Sequence, residues 1–154
     1  MQQLNLPEAH LKLTNEKGKL KIFDIIRKKY VAFTPEEHVR QQFIHYLINE
    51  KNYPKSLLSI EKKLKVYNTE KRADIVVYNT AGKPIVIVEC KAPSINITQK
   101  AFDQTARYNM TFKADYLIIT NGLNHYCCKP DYTDNTFTFL KDIPDFNTIS
   151  QNAD

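Results

Sequence analysis

The chain has 154 residues, enough for one ordinary domain with a buried core. Its composition, 42% hydrophobic and 25% charged, is typical of a globular protein and excludes a disordered one. The formal net charge is +5, from 22 basic and 17 acidic residues, which fits a polyanionic partner without requiring one.

Several functional classes are excluded by what the sequence lacks. Three glycines are too few for a phosphate-binding loop of the Walker type or a dinucleotide fingerprint, so we exclude ATP-driven chemistry. The start, MQQLNLPEAH, has no secretory signal pattern, and no apolar run approaches a membrane span. We therefore expect a cytoplasmic protein with no membrane partner. Three cysteines without C-x-x-C spacing lie in apolar runs and predict reduced core thiols: Cys90, Cys127 and Cys128.

The first predicted elements are a hairpin and a helix. The hairpin spans about residues 11–24 and turns at Gly18. The stretch TPEEHVRQQFIHYLINE predicts a helix, with Thr34 as its N-cap, Pro35 at the first helical position and Glu37 in a capping box. We expect a single domain over residues 1–154, with a core that extends from about residue 34 to about residue 130.

Strands and a second helix follow. LSIEKKLKV predicts a half-buried strand, while ADIVVY and PIVIVE are apolar on both faces and predict central strands. ITQKAFDQTARYNM predicts a helix, and YLIIT and HYCCK predict two further strands. A strand, a helix and a strand in succession predict that PIVIVE and YLIIT are parallel. The fold class is therefore α/β, an αβββαβ core with a mixed central sheet flanked by helices. A polar tail at about residues 147–154 is expected to fray.

Two opposite charges end the strand PIVIVE. Alternation places Glu89 and Lys91 on the face shared by Ile85 and Ile87. A buried strand that ends in charges on its apolar face indicates either a salt-bridged strand end or a functional site.

The hairpin between ADIVVY and PIVIVE brings a second carboxylate to this strand end. Pairing residue 80 with residue 83, or 79 with 84, sets Asp74 directly opposite Glu89, about 5 Å away. Two carboxylates that close repel each other unless a cation lies between them. Lys91 supplies one positive charge, and the remaining anionic density fits Mg²⁺ or Mn²⁺.

Side chains on the two helices extend the candidate site. Gln104 and Tyr108 are four residues apart, so they project from one face of the second helix. On the first helix, Glu36 falls on the apolar face, whereas Glu37 is turned away by about a quarter-turn. Glu36 is therefore the better site candidate and Glu37 the better cap.

These residues carry a resemblance to a known family. Asp74, Glu89-x-Lys91 and Gln104-x-x-x-Tyr108 resemble the motifs of the PD-(D/E)xK nuclease superfamily. TPEEHVRQQF, KRADIVVYN, VECKAP, DQTARYN and TNGLNHYCCK resemble the N-terminal nuclease domain of type I restriction enzyme R proteins, over about residues 20–145. The resemblance implies a restriction-endonuclease-like core. Two departures are an alanine before Asp74, in place of proline, and no recognisable helicase motor in these residues.

The resemblance implies an Mg²⁺-dependent DNA endonuclease, a restriction-modification module without its own motor. Asp74 and Glu89 would bind the metal, with the Cys90 carbonyl and Glu36 in support. Lys91 would act on the attacking water and the phosphate charge. Four residues of the second helix would contact DNA, the first two also serving catalysis: Gln104, Tyr108, Arg107 and Lys100.

The expected partners are DNA, helicase motor or specificity subunits, and a second copy of the chain. One alternative is a non-catalytic DNA-binding or assembly module of a restriction or repair complex, and another is a metal-binding enzyme acting on RNA or another phosphodiester. The intact set of Asp74, Glu89 and Lys91 favours catalysis. The lysine-rich stretch at residues 61–72 either faces DNA phosphates or is a solvated strand face.

Overall fold

The computed structural model describes residues 1–151, apart from the side chains of Val66 and Gln151. Those residues form two sheets and three α-helices. The strands are β1 (Leu13–Glu16), β2 (Lys19–Asp24), β3 (Lys29–Ala32), β4 (Leu58–Val66), β5 (Thr69–Tyr78), β6 (Pro84–Cys90), β7 (Tyr116–Thr120), β8 (His125–Asp131) and β9 (Thr136–Leu140). The helices are α1 (Pro35–Lys51), α2 (Gln99–Met110) and α3 (Phe146–Gln151).

The N-terminal sheet is antiparallel, in the order β1-β2-β3. β1 and β2 pair within the segment where the sequence predicts a hairpin, and β3 adds a third strand that was not predicted. Its four residues are too few to show an alternating pattern. The buried Asp24 builds the turn before β3, because its Oδ1 accepts the backbone N–H groups of Ile26 and Arg27 at 2.8 and 2.9 Å.

The central sheet has six strands in the order β4-β5-β6-β7-β8-β9. β6 and β7 are parallel, joined through α2, and the other neighbouring pairs in this sheet are antiparallel. The predicted mixed α/β core, with its αβββαβ order and parallel central pair, is confirmed.

Helices α1 and α2 lie on opposite faces of this sheet. Both begin at the threonine that precedes them, since Thr34 accepts the N–H of Glu37 at 3.0 Å and Thr98 that of Ala101 at 3.1 Å. The core on the α1 side includes Phe43, Ile75, Val77, Val88 and Ile118. The core on the α2 side includes Val76, Ile87, Phe102, Leu117 and Ile119. The apolar central strands are therefore buried on both faces, as their sequences predict.

The ribbon formed by β4 and β5 is irregular at Glu61. The ladder pairs Lys62 with Ala73, but Glu61 has a φ of 49°, in the left-handed region that strands do not normally occupy. Ala73 packs in the core on the α2 side, although alternation would place it with Ile75 on the α1 side. The ribbon therefore changes direction at Glu61 and its neighbour across the ladder, residue 74.

Beyond this bend the ribbon lies over α2. Leu64 packs against the core on the α2 side, and the Lys71 Nζ is 4.7 Å from the ring centroid of Tyr108. At the tip, Tyr67 lines a cavity of about 240 Å³ together with Arg107 of α2. We call residues 61–74 the arm.

The β5–β6 hairpin departs from the predicted register at its closed end. Tyr78 pairs with Pro84, and Val77 with Val86, so Ile85 is an extra residue on β6. Ile85 consequently packs on the α1 side, and its predicted place on the face of Ile87 is wrong. The register from residue 77 back to residue 75, opposite 88, is the predicted one.

The C-terminal region contains a short helix within the polar tail. Residues 147–151, expected to fray, belong to α3, where Ile149 is only 1% exposed and packs in the core on the α1 side. Phe146 stacks edge-on against Tyr53, whose hydroxyl donates to the Pro144 carbonyl at 2.9 Å. One apolar turn therefore anchors the segment, and residues 152–154 lie outside the described residues.

Two predictions from the apolar segments concern the cysteines and membrane-spanning helices. The three cysteines are free thiols buried in that core. Within residues 1–151, no helix combines the length and the hydropathy needed to cross a membrane.

Candidate active site

The carboxyl ends of β6 and β7 place a charged segment at one edge of the central sheet. Glu89 pairs with Ile119 and Cys90 with Thr120, and the Lys91 N–H donates to the Thr120 carbonyl at 2.8 Å. Ligand sites in open α/β sheets form outside the carboxyl ends of parallel strands. Glu89 and Lys91 therefore lie where the topology favours a site.

Asp74 reaches this edge from the neighbouring strand β5. Its Oδ2 accepts a hydrogen bond from the Cys90 N–H at 2.8 Å, and its side chain is 14% exposed. The ladder pairs Ile75 with Val88, the residues next to Asp74 and Glu89 in the sequence, and the Asp74 carboxylate raises the pKa of Glu89. The structure therefore brings these two carboxylates together beside Lys91.

The carboxyl groups at this edge share one electrostatic environment. Burial, and then the neighbouring Asp74 carboxylate, raise the pKa of Glu89 to about 7, against the opposing effect of Lys91. Burial also raises the pKa of Asp74, although the Cys90 N–H and Arg40 act against it. The pKa of Glu36 is raised by burial first and by Asp74 second. Each shift disfavours the charged carboxylate, so a cation placed here would be stabilised.

Arg40 of α1 is the main positive charge beside Asp74. Its side chain is only 5% exposed, and its Nη2 lies 3.5 Å from the Asp74 Oδ1. Its Nη1 contacts Glu37 at 3.0 Å and Glu61 at 3.2 Å. Since a buried charge is costly without partners, these carboxylates hold Arg40 in place and Arg40 in turn holds Asp74.

Arg27 joins the same carboxylates from the N-terminal sheet. Its Nη2 is 3.3 Å from Glu37 and its Nη1 is 3.2 Å from Glu61, while its Nε pairs with the fully buried Asp24. We call this set the acid–arginine network: Asp24, Arg27, Glu37, Arg40, Glu61 and Asp74. The network ties both sheets and α1 to the candidate site.

A cleft of about 560 Å³ opens beside the network. β3 contributes Val31 and Ala32 to its wall, the start of α1 contributes Glu36, and the segment after β6 contributes Ala92, next to Lys91. An open cleft with charged walls thus lies beside the acid–arginine network and next to the segment that carries Lys91.

The two glutamates at the start of α1 exchange their predicted environments. Glu36 is 50% exposed, whereas the Glu37 side chain is 10% exposed. Thr34 caps the Glu37 N–H as predicted, but the Glu37 carboxylate pairs with Arg27 and Arg40. The predicted faces are wrong because Arg27, from the turn between β2 and β3, and Arg40 both pair with the Glu37 carboxylate. Glu36 still lies close enough to Asp74 for its pKa to be affected.

The candidates on α2 make contacts other than with the paired carboxylates. Gln104 and Lys100 are exposed, and Arg107 lines the cavity beneath the tip of the arm. Tyr108, 42% exposed, contacts Lys71 of the arm and packs edge-on against Phe112. Within residues 1–151, no hydrogen bond or ion pair joins these four α2 residues to Asp74, Glu89 or Lys91.

The sequence gives no direct indication of three site residues. Arg40 could have been found, because it follows Glu36 by four positions, a spacing typical of ion pairs on a helix, and the two lie 3.6 Å apart. Glu61 and Arg27 give no comparable signal, since their contacts depend on the bend of the arm and on the docking of the N-terminal sheet.

The residues at this edge fit a magnesium ion as a partial set of ligands. Asp74 and Glu89 supply two carboxylates, and Mg²⁺ is commonly bound by one or two carboxylates together with waters and substrate phosphates. In the part of the chain that the structure describes, no group of three or more His, Cys, Asp or Glu side chains is arranged to hold a metal alone. Further ligands would therefore have to come from backbone, water or substrate.

An αβββαβ core with Asp74, Glu89 and Lys91 at one sheet edge has the architecture of a restriction-endonuclease-like domain. Residues 35–144 match the family described as Type I restriction enzyme R protein N terminus (HSDR_N). The chain belongs to this family.

The fold has a solved counterpart. It is similar to a fragment described as the HsdR subunit of a type I restriction enzyme from Vibrio vulnificus YJ016, with a TM-score of 0.54 and 18% identity. The match covers 77% of this chain and 25% of that one, so this chain spans about a quarter of the solved chain. A comparison with curated proteins gives no match.

Proposed function

We propose that this chain is the nuclease module of a type I restriction system and hydrolyses DNA phosphodiesters with Mg²⁺. The observation that carries the proposal is the meeting of Asp74 and Glu89 beside Lys91, in an environment that raises the pKa of both carboxyl groups. Membership of the R-protein family supports the restriction system. Mn²⁺ would serve as well as Mg²⁺, since both prefer oxygen ligands.

The side chains at the sheet edge divide the chemistry among them. Asp74 and Glu89 would hold the ion, supported by the Cys90 carbonyl and Glu36. Once bound, the ion would acidify a water and polarise the phosphate. Lys91 would orient the attacking water and stabilise the charge that develops on the phosphate oxygens. Hydrolysis of a phosphodiester needs these functions close together.

The proton on Glu89 links this chemistry to pH. With a pKa of about 7, the carboxyl is protonated in about half of the molecules at neutral pH. Only the carboxylate form is a good ligand for a hard cation, so ion binding would release this proton. Arg40 acts as a positioning residue for Asp74, because its guanidinium lies 3.5 Å from that carboxylate and compensates part of its charge.

DNA and other subunits complete the proposed assembly. Gln104, Tyr108, Arg107 and Lys100 are proposed to contact DNA from α2, which would then lie along the face beside the arm. Because this chain spans about a quarter of the solved HsdR chain, motor and specificity functions would come from other domains or subunits.

A second candidate is a non-catalytic DNA-binding or assembly module. Two observations favour it: Asp74 is already compensated by Arg40, and no three-ligand metal group is present within residues 1–151. Such a module would bind DNA or partner subunits but would leave the phosphodiester intact.

Plasmid nicking separates the two candidates. The wild type, Asp74→Asn, Glu89→Gln and Lys91→Ala are compared in Mg²⁺, Mn²⁺ and EDTA, with Glu50→Gln, an exposed glutamate on α1, as matched control. The nuclease proposal expects each site variant to nick at least about 100-fold more slowly, because a charged group at the reacting centre is lost. Glu50→Gln should match the wild type. A wild-type chain that binds DNA but nicks in neither ion would support the assembly module instead.

A further inference from the structure

The part of the arm between its two acidic ends, Glu61 and Asp74, is strongly basic. Residues 62–72 hold five basic side chains and one acidic side chain, a net of four positive charges, while the whole chain has a net charge of +5. The basic residues are Lys62, Lys63, Lys65, Lys71 and Arg72, and the acidic one is Glu70. Positive potential is therefore concentrated on one protruding ribbon.

The strand register sets like charges against each other on the outer face of this ribbon. Lys63 lies directly opposite Arg72, and Lys65 lies opposite Glu70. Directly opposed side chains are about 5 Å apart at Cβ, and like charges in that position are destabilising. The nearest compensation is Glu70, 3.5 Å from Lys63, in a pair more than half exposed on both sides and therefore weak. The outer face of the ribbon therefore carries excess positive charge that an anion would stabilise.

The inner face of the arm packs against α2 and supports the ribbon. Leu64 and Ala73 pack on the core of α2, and Lys71 covers the ring of Tyr108. At the tip, Tyr67 and Asn68 have φ values of 51° and 65°, the pattern of a tight two-residue hairpin turn, and Tyr67 is 89% exposed. The arm is therefore a supported ribbon that presents cations outward.

We propose that the arm is the surface through which this chain binds the phosphate backbone of duplex DNA, with Lys63, Lys65 and Arg72 as the contact residues. Lysine and arginine side chains on a ribbon neutralise phosphates without reading base edges, so binding is independent of sequence. Arg72 is two residues before Asp74, about 7 Å along the strand, so a bound backbone lies next to the carboxylates. The inference rests on the proposed function and assigns its substrate-binding surface.

The test compares two variants of equal charge. In the arm variant, Lys63, Lys65 and Arg72 are each replaced by Gln. In the control variant, three exposed lysines on other parts of the chain are replaced by Gln: Lys19, Lys55 and Lys141. Binding of the full chain to a fluorescent DNA duplex is measured in EDTA over a range of salt concentrations, so that no cleavage interferes.

The arm variant should bind at least about 10-fold more weakly at low salt, and its salt slope should fall by about 2 to 3, close to 0.9 per lost phosphate contact. The control variant should change both quantities much less. Equal losses in the two variants, an unchanged arm variant, or a wild type that does not bind DNA would each overturn the proposal. Tighter binding to an RNA duplex of the same sequence would overturn the choice of DNA.

A single substitution protects the test against misfolding. Lys63→Gln relieves the repulsion with Arg72, so thermal stability should be equal or higher while DNA affinity falls about 2- to 5-fold. The nuclease proposal can fail independently of this one. If the wild type never nicks DNA but the arm variant loses DNA binding, the arm proposal stands and the nuclease proposal fails. If the arm variant nicks normally and binds DNA with unchanged affinity, the nuclease proposal stands and the arm proposal fails.

Discussion

Asp74 and Cys90 are joined by a 2.8 Å hydrogen bond, in which the backbone N–H of Cys90 donates to the Asp74 Oδ2. The bond crosses from β5 to β6 at the residue between Glu89 and Lys91, so it fixes Asp74 relative to both. The other carboxylate oxygen, Oδ1, lies 3.5 Å from the Arg40 Nη2. Because the two oxygens have different partners, the charge and the hydrogen bond of Asp74 can be removed separately.

Two substitutions of Asp74 make that separation. Asp74→Asn retains an oxygen that can accept the Cys90 N–H, whereas Asp74→Ala leaves that buried donor unpaired. We expect both variants to lose nicking, and Asp74→Ala to be less stable than Asp74→Asn by about 1 to 3 kcal/mol. Urea unfolding of the two variants measures the difference. Equal stability would show that the hydrogen bond contributes little to the fold.

The raised pKa of Glu89 predicts a pH-dependent stability. Between the usual value of 4.5 and about 7, the folded chain keeps a proton that the unfolded chain has already released. The free energy of unfolding of the metal-free protein should therefore fall as pH rises through this window, by roughly 1 to 3 kcal/mol, and level off above it. Urea unfolding at pH 5, 6, 7 and 8, which covers most of that window and the plateau above it, measures this profile.

Glu89→Gln provides the matched comparison for that profile. The amide cannot ionise, so the decline in unfolding free energy between pH 5 and 8 should be smaller than in the wild type, with the remainder due to Asp74. Glu50→Gln, on the exposed surface of α1, should leave the wild-type profile unchanged. A Glu89→Gln profile as steep as that of the wild type would place the titration elsewhere.

Arg40 should be important for stability as well as for position. Arg40→Met keeps much of the side-chain volume but leaves buried carboxylates without their cation, and we expect a loss of about 3 to 5 kcal/mol. Glu36→Gln removes only the weaker 3.6 Å contact of the half-exposed Glu36 and should cost less than about 1 kcal/mol. Thermal melts of both variants provide the comparison, and similar losses would contradict the assigned burial.

The predicted roles of Gln104 and Tyr108 can be tested independently of the metal. Gln104→Ala and Tyr108→Phe should lower the nicking rate while leaving Mn²⁺ affinity nearly unchanged, since neither residue is proposed as a metal ligand. Tyr108→Phe keeps an aromatic ring beneath Lys71, so the arm should stay in place. Calorimetric titration with Mn²⁺ tests whether these residues act at the metal, because a large loss of Mn²⁺ affinity would show that they do.

Gly122 and Gly82 form a matched pair for backbone packing. Both have positive φ, 86° and 83°, so alanine is strained at either position. A Cβ on Gly122 would lie 2.9 Å from Leu4 and 3.0 Å from Val39, whereas a Cβ on Gly82 meets nothing within 4 Å. Gly122→Ala should therefore be less stable than Gly82→Ala by about 1 to 3 kcal/mol in thermal or urea unfolding, because a packed core resists added volume.

Local patterns in the sequence predict the elements whose causes are local. The cap at Thr34, the proline after it and the apolar strands require only neighbouring residues, and each is found where it was predicted. The register next to Asp74 was also predictable, because pairing from the closed end of a hairpin leaves few choices. The extra residue Ile85 was not, since nothing in its sequence marks a bulge.

Features that depend on distant contacts could not be predicted. Glu37 pairs with Arg27, which precedes α1 by eight residues, and helical periodicity describes only a single buried face. The bend at Glu61 is visible only once the arm is seen over α2. The burial of Ile149 likewise depends on its packing in the core on the α1 side, which the polar sequence of the tail does not indicate.

The segment that matches the R-protein family begins at residue 35, yet Arg27 and Asp24 precede it. A domain excised at that boundary would keep Glu37 and Glu61 but lose one of the two guanidinium groups that neutralise them. The segment that matches the family is therefore smaller than the segment that supplies the acid–arginine network. Anyone who transplants this module into another chain should carry the first 34 residues with it.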